Sequence, residues 1–293
     1  MTQNRAEFPP WEDPRRTLKR HALRPKRSFS QNFLISSSIC DRIAAGIPFE
    51  AGRTIVELGP GLGTLTRTLL RTARHVIGVE RDRDMIAVLH KDLVETDCRF
   101  EVRAGDAAEL NLSELAAETG VSVDVVGNLP YASTGRILRN LTRHRTAVHS
   151  AILMVQREVR DRLVAVPATK EYGALSVFVQ ASFAVSTIAK VSRTAFHPPP
   201  KVESAVVALL PNTPPLAEEH EGLRRVVRAS FQKRRKTLRN ALLGRGWSQE
   251  EIDTALQTCS IDGRRRGETL AVEEFALLAE SLPSVQPEPP PQD

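Results

Sequence analysis

Paired cysteines are missing from this sequence: Cys40, Cys98 and Cys259 are scattered, with no paired spacing and no histidine at ligand distance. That excludes a disulfide framework and a zinc module, and it suits a reducing compartment. Long apolar runs are missing as well, and the N-terminal residues carry no hydrophobic core of a secretion signal. A membrane span is excluded on length, and a soluble, cytoplasmic protein without a metal is expected. Acids are missing between Arg15 and Arg27, while the whole chain carries a formal charge of +6. An excess of this sign suggests a polyanionic partner. With 293 residues there is room for one sizeable domain and a smaller one.

What is present centres on Thr54-Ile55-Val56-Glu57-Leu58-Gly59-Pro60-Gly61-Leu62-Gly63-Thr64-Leu65-Thr66. An apolar, β-rich run ends in Gly59, Gly61 and Gly63, and Leu65, Leu69 and Leu70 follow at helical spacing. The pattern predicts strand, tight turn, helix. Glycine suits such a turn where the backbone takes a positive φ or lies against a ligand, and the helix start offers unpaired N–H groups. The dinucleotide fingerprint would need its third glycine where Thr64 stands, which argues against a nicotinamide-dependent oxidoreductase. The Glu-x-Gly-x-Gly-x-Gly spacing instead resembles the cofactor loop of S-adenosylmethionine (SAM) methyltransferases.

The next elements extend one edge. His75-Val76-Ile77-Gly78-Val79-Glu80 reads as a second buried strand ending in an acid, and Glu80 is expected to hold the ribose hydroxyls; otherwise it is a solvated loop acid. A short strand over Arg99 to Val102 ends at Asp106, which is either an acceptor for the adenine amino group or an ordinary turn aspartate. Three successive strand ends would then present Gly59 to Gly63, Glu80 and Asp106 together, at the carboxyl edge where open α/β sheets bind ligands.

Val123 to Gly127 predicts a further strand running into Asn128-Leu129-Pro130-Tyr131. A proline turn at a strand end explains Pro130 but neither Asn128 nor Tyr131. The tetrapeptide resembles the Asn/Asp-Pro-Pro/Leu-aromatic motif of methyltransferases acting on exocyclic amines. An adenine N6 amine is a poor nucleophile, because its lone pair is delocalised into the ring. Two acceptors, the Asn128 side-chain oxygen and a nearby main-chain carbonyl, would favour a pyramidal nitrogen, and Tyr131 would stack on a base taken out of its helix. Phe196, ahead of Pro198-Pro199-Pro200, is either a core anchor or a second stacking face for that base.

Six blocks then carry a specific likeness: Phe29 to Leu34, Glu57 to Thr66, Asn128 to Tyr131, Gln156 to Val159, Phe196 to Val207 and Phe231 to Asn240. Together they resemble the KsgA (RsmA) family of small-subunit rRNA adenine N6,N6-dimethyltransferases, over residues 15 to 281. The resemblance implies SAM contacts from Asn32, Leu34, Gly59, Glu80, Asp106 and Asn128. It also implies dimethylation of two adjacent adenines in the 3′-terminal hairpin of 16S rRNA, in the 30S subunit during late assembly. Ser30 stands where the family has glycine, and Ala132-Ser133 where it has Asn-Ile. Rival readings are an Erm-type 23S rRNA dimethyltransferase and a non-catalytic assembly or transcription factor on the same fold.

The expected organisation is an α/β, Rossmann-like methyltransferase sheet with a small all-helical C-terminal domain. Residues 1–28 form a flexible basic arm, 29–212 the catalytic domain, 213–282 a helical RNA-binding domain and 283–293 a disordered tail. Expected phosphate contacts are Arg24, Lys26 and Arg27 in the arm and Arg224, Arg228, Lys233, Arg234, Arg235 and Lys236 in the helical domain; each group is otherwise a solvated face. A monomer acting on rRNA is expected.

Overall fold

The structure, a computed structural model, describes residues 9–26, 29, 31–48, 53–95, 97–233 and 235–284. In chain order its elements are α1 (Pro14–Arg20), β1 (Phe33–Leu34), α2 (Ser37–Ala45), β2 (Thr54–Leu58), α3 (Thr64–Leu69), β3 (His75–Glu80) and α4 (Arg83–Leu89). There follow β4 (Phe100–Ala104), α5 (Leu112–Thr119), β5 (Val123–Asn128), α6 (Thr134–Arg143), β6 (Val148–Gln156), α7 (Arg157–Leu163) and α8 (Ala174–Ser182). The last are β7 (Phe183–Val191), β8 (Phe196–His197), β9 (Ser204–Pro211), α9 (Glu221–Gln232), α10 (Leu238–Leu242), α11 (Gln249–Thr258) and α12 (Val272–Ser281). The chain divides into two units, one holding the described residues up to Arg160 with Ala184–Pro211, the other Asp161–Phe183 with the described residues from Asn212 onward.

The first unit is built on a sheet of order β4-β3-β2-β5-β6-β9-β7. Strands β4, β3, β2, β5 and β6 pair in parallel, and β9 joins β6 antiparallel. Parallel strands covered on both faces have no solvated side, so they read as near-continuous apolar runs. Ile55, Val76, Val126, Ile152 and Met154 are buried in one cluster with Leu65 and Leu69 of α3. The chain order reverses between β2 and β5: β3 and β4 extend to one side of β2, and β5 returns to the other. Strand ends diverge at such a point and leave a crevice.

Two elements depart from the pattern expected from sequence. The apolar face over Met85 to Leu93 is not one α-helix, because α4 ends at Leu89 and a wider π turn over His90–Val94 carries the chain on, with Leu89 and Leu93 both fully buried. The basic N-terminal stretch is, over its described part, a docked helix rather than a free arm. Asp13 caps α1 by accepting from the Arg15 N–H at 2.9 Å, Pro14 occupies the first turn, and Leu18 is buried against Phe33, Leu62, Met85 and Val88. Arg20 bonds to Glu12 and Asp92, and His21 Nε2 lies 3.0 Å from the same Asp92 carboxylate.

The second unit is all-helical and gathers around Tyr172, Val177, Leu223, Val227, Leu238, Trp247 and Phe275. Phe231 packs edge-on to Tyr172 at 6.0 Å between ring centroids and lies 5.9 Å from Phe275. Helix α8, expected with the sheet, belongs here. Its Val177 and Ala181 are buried in this cluster, and the Ala181 carbonyl accepts from the Leu216 N–H at 2.9 Å. Helix α11 starts with a capping box in which Ser248 and Glu251 satisfy each other's backbone N–H groups. The expected tail from residue 285 onward lies outside the described residues.

Candidate active site

At the crevice between β2 and β5 the strand ends wall one pocket. Asn32, Leu34, Gly59, Gly61, Glu80, Asp106, Asn128, Leu129, Pro130 and Tyr131, all singled out in the sequence, line it together. The turn after β2 takes positive φ at Gly59 (72°), Gly61 (57°) and Gly63 (73°), a backbone that side chains disfavour. The glycines do different work. A Cβ at Gly59 would meet nothing within 4 Å, so the turn stays open there, whereas one at Gly63 would come within 2.5 Å of Leu93 Cδ1. Gly63 does not line the pocket; it lets α3 start close against the π turn. Of the three glycines expected at the cofactor, Gly59 and Gly61 line the pocket and Gly63 packs behind it.

Glu80 is 7% exposed. Its Oε1 accepts from the N–H groups of Arg81 and Asp82 at 2.8 Å each, and Oε2 accepts from the Gly61 N–H at 3.1 Å. The carboxylate therefore ties the end of β3 to the glycine turn and keeps further acceptor capacity. Burial pushes its pKa above the ordinary range, partly offset by those three N–H donors. Asp106 Oδ1 accepts from the Ala108 N–H at 2.9 Å, an Asx turn that fixes the carboxylate at the pocket wall.

Sequence reasoning assigned no role to Glu57, which also lines the pocket. It is 2% exposed and accepts from Thr66 Oγ1 at 2.6 Å. Burial pushes its pKa up to about 8, the Thr66 hydroxyl opposing the rise and the charge of Glu80 adding to it. The available signal was an acid inside the apolar run of β2.

Phe29 and residues 31–34 close the pocket on another side. Phe33 and Leu34 pair with His197 and Phe196 in the β1–β8 ladder, and the Phe33 ring lies where a Cβ on Gly61 would be 3.2 Å from it. Gln31 Nε2 donates to Asp82 Oδ2 at 2.7 Å, and Lys26 Nζ bonds to the other oxygen of Asp82 at 2.7 Å. Against the burial that would raise it, these donors hold the Asp82 carboxyl below its ordinary pKa. The Phe29 ring sits beside both Lys26 Nζ (5.4 Å) and the Arg81 guanidinium (5.1 Å). Gln31 and Asp82 were not anticipated, because their partnership spans fifty-one positions. Ser30 lies outside the described residues.

Asn128 ends β5, and its amide Nδ2 donates to the Asn32 carbonyl at 3.1 Å. A carbonyl partner can only accept, so the NH₂ side of the amide faces Asn32 and Oδ1 is left for another donor. The Pro130 carbonyl accepts from the N–H groups of Ser133 and Thr134 at 3.1 Å each and from Thr134 Oγ1 at 3.0 Å. Its capacity is used by the turn into α6, where Ser133 takes part despite departing from the family pattern. The Leu129 carbonyl takes no hydrogen bond among the described residues. Tyr131, half-buried, holds its hydroxyl 3.4 Å from Ser204 Oγ. Phe196 is placed elsewhere: it is 3% exposed in the sheet core, and in the two-residue β8 it is His197 that faces outward. The stacking role entertained for Phe196 gives way to a core anchor.

Among the expected phosphate contacts, Arg24 is exposed, while Lys26 is committed to Asp82 and Asp84 at 2.7 and 2.6 Å. In the second unit Arg224 bonds to Glu219 at 2.9 Å, and Arg228, Lys233, Arg235 and Lys236 are exposed. Arg27 and Arg234 lie outside the described residues. Among the described residues no cluster of three or more His, Cys, Asp or Glu could hold a metal, and no helix is long and apolar enough to cross a membrane.

Comparison with known proteins bears on the same residues. Residues 22–283 match the family of ribosomal RNA adenine dimethylases. Similar curated proteins include ribosomal RNA small subunit methyltransferase A of Moorella thermoacetica, 42% identical over 92% of this chain and 97% of that protein. The protein of the same name from Myxococcus xanthus is 40% identical over 94% and 97%. Among solved structures, a dimethyladenosine transferase from Plasmodium falciparum superposes with a TM-score of 0.73 at 25% identity, over 84% of this chain and 95% of that one. The 23S rRNA methyltransferase ErmE gives a TM-score of 0.64 at 26% identity, over 86% and 99%. The chain belongs to the ribosomal RNA adenine dimethylase family and is an enzyme of that kind, an rRNA adenine dimethyltransferase.

Proposed function

We propose that the protein transfers methyl groups from SAM to N6 of two adjacent adenines in the 3′-terminal hairpin of 16S rRNA, within the small ribosomal subunit of the cytoplasm. The observation that carries this reading is the single pocket in which the glycine turn, Glu80, Asp106 and the Asn128-to-Tyr131 tetrapeptide meet. The pocket's charge fits the donor. Two carboxylates, Glu80 and Asp106, and the acid Glu57, which burial keeps largely protonated near neutral pH, line it with Arg81 as their one basic neighbour, a balance that suits a cationic adenosyl ligand better than a pyrophosphate. Gly59 and Gly61 would cradle that ligand, Glu80 would hold its ribose, Asp106 its adenine amine, and Asn32 and Leu34 would cover it. When bound, SAM supplies a methyl group already activated by the sulfonium.

The protein's own part is positioning. Asn128 Oδ1 and the Leu129 carbonyl accept the two N6 hydrogens and turn the amine's lone pair toward the cofactor side. The Asn32 carbonyl keeps the Asn128 amide from flipping. Tyr131 supplies a π-face for the extruded adenine, with its ring restrained at Ser204. No strong base is needed, because the amine becomes acidic once methylated and its proton leaves to water.

The choice of rRNA rests on the closer likeness to the small-subunit enzymes than to ErmE. Mass-spectrometric mapping of N6,N6-dimethyladenosine tests it, with undermethylated small-subunit particles and naked 23S rRNA as competing substrates. Two adjacent modified adenines on the particle are expected. Modification confined to 23S rRNA would assign the enzyme to the Erm type instead.

A further inference from the structure

Beside the pocket, in the same unit, runs a groove of opposite chemistry. Arg24, Tyr131, Gln156, His197, Pro199 and Lys201 are among its walls, and no carboxylate lines it. Tyr131 and Asn32 line both pocket and groove, so the two cavities meet at the residue on which the target base stacks. Arg24, Lys201, Pro198 and Pro199 are exposed. Gln156 closes β6 and His197 closes β8; both are half-buried, and neither side chain has a hydrogen-bond partner among the described residues. Two unpaired polar side chains with basic neighbours and a flat proline rim suit a nucleotide: a base edge to read, a base face to pack and a phosphate to neutralise.

We propose that this groove is a subsite for the nucleotide flanking the target adenine. Gln156 and His197 contact its base edge, Tyr131 and the prolines its face, and Arg24 and Lys201 its phosphate. The inference rests on the function proposed above and adds a consequence to it. A nucleic-acid strand has a direction, and the groove lies to one side of Tyr131. When one adenine of the pair is in the pocket the groove receives its twin; when the twin is in the pocket the groove receives the nucleotide beyond. Loss of the groove's contacts therefore affects the two adenines unequally.

Site-resolved single-turnover methylation of small-subunit particles tests this with wild type, Gln156→Ala and His197→Ala. The variants are expected to slow one adenine about tenfold more than the other, as for a lost base contact, with SAM affinity unchanged as the control for folding. A second arm keeps the wild-type enzyme and makes each nucleotide flanking the adenine pair abasic in turn; on one side only, the adjacent adenine should slow. Equal slowing at both adenines, or none, with normal wild-type activity overturns the subsite alone. A wild-type enzyme that modifies neither adenine overturns the function on which the subsite rests, and the subsite with it.

Discussion

At the scale of single residues, two acids of the pocket, Glu57 and Glu80, are held away from water. Glu57 shows the cost. Its pKa stands at about 8 in the folded chain against about 4.3 when exposed. The protonated folded form is therefore favoured at low pH, and that stability is lost as pH rises from the unfolded value through about 8. Glu57→Gln keeps an acceptor for Thr66 and removes the titration, so its melting temperature should gain on wild type between pH 5 and pH 9. Calorimetry giving a constant difference across that range would contradict the buried-acid assignment. Glu80→Ala should weaken SAM binding by about 1–3 kcal/mol, since both a ligand contact and the tie to Gly61 are lost; unchanged affinity in a folded variant would reject the ribose role. Residue types at strand ends were legible, because Glu80 and Asn128 each close an apolar run and Asp106 follows a short strand through a glycine. Side-chain direction was not. Adjacent strand residues face opposite sides, and nothing in Phe196-His197 says which one turns inward. The Asn128–Asn32 bond joins positions ninety-six apart and leaves no local pattern.

Among the elements, the segment over the pocket and the turn beneath it carry the sharpest expectations. Asp82 does not line the pocket but anchors Lys26 and Gln31. Asp82→Ala should loosen residues 31–34 and weaken SAM binding by about 1–2 kcal/mol; titration calorimetry showing wild-type affinity would mean that they hold their place without the anchor. Gly63→Ala puts a methyl within 2.5 Å of Leu93 Cδ1 at a φ of 73°, and should cost about 1–3 kcal/mol in urea denaturation. The inner parallel strands were readable because burial on both faces writes a near-continuous apolar run, interrupted by Glu57 in β2 and Asp124 in β5. Strand β7 was not: it lies at the sheet's edge, and its Ala184, Ser186, Thr187 and Lys190 break the run. Helix α8 was seen but placed in the wrong unit, since an apolar face does not name the cluster that will cover it.

For the whole molecule, charge is segregated by task. Three acids and one arginine, Arg81, line the pocket, basic groups without an acid line the groove beside Tyr131, and Arg228, Lys233, Arg235 and Lys236 stand exposed on the helical unit. Each phosphate contact releases counterions, so Arg235→Ala with Lys236→Ala should lower the salt slope of particle binding by roughly one to two units and leave SAM affinity alone. An unaltered slope would make that face merely solvated. The most direct test of the whole account is a rapid-quench, single-turnover comparison of wild type, Asn128→Ala and Tyr131→Phe on small-subunit particles at saturating SAM. The account predicts that Asn128→Ala loses most of the methylation rate while Tyr131→Phe, which keeps its π-face, retains much of it. A correctly folded Asn128→Ala enzyme methylating at the wild-type rate would contradict it.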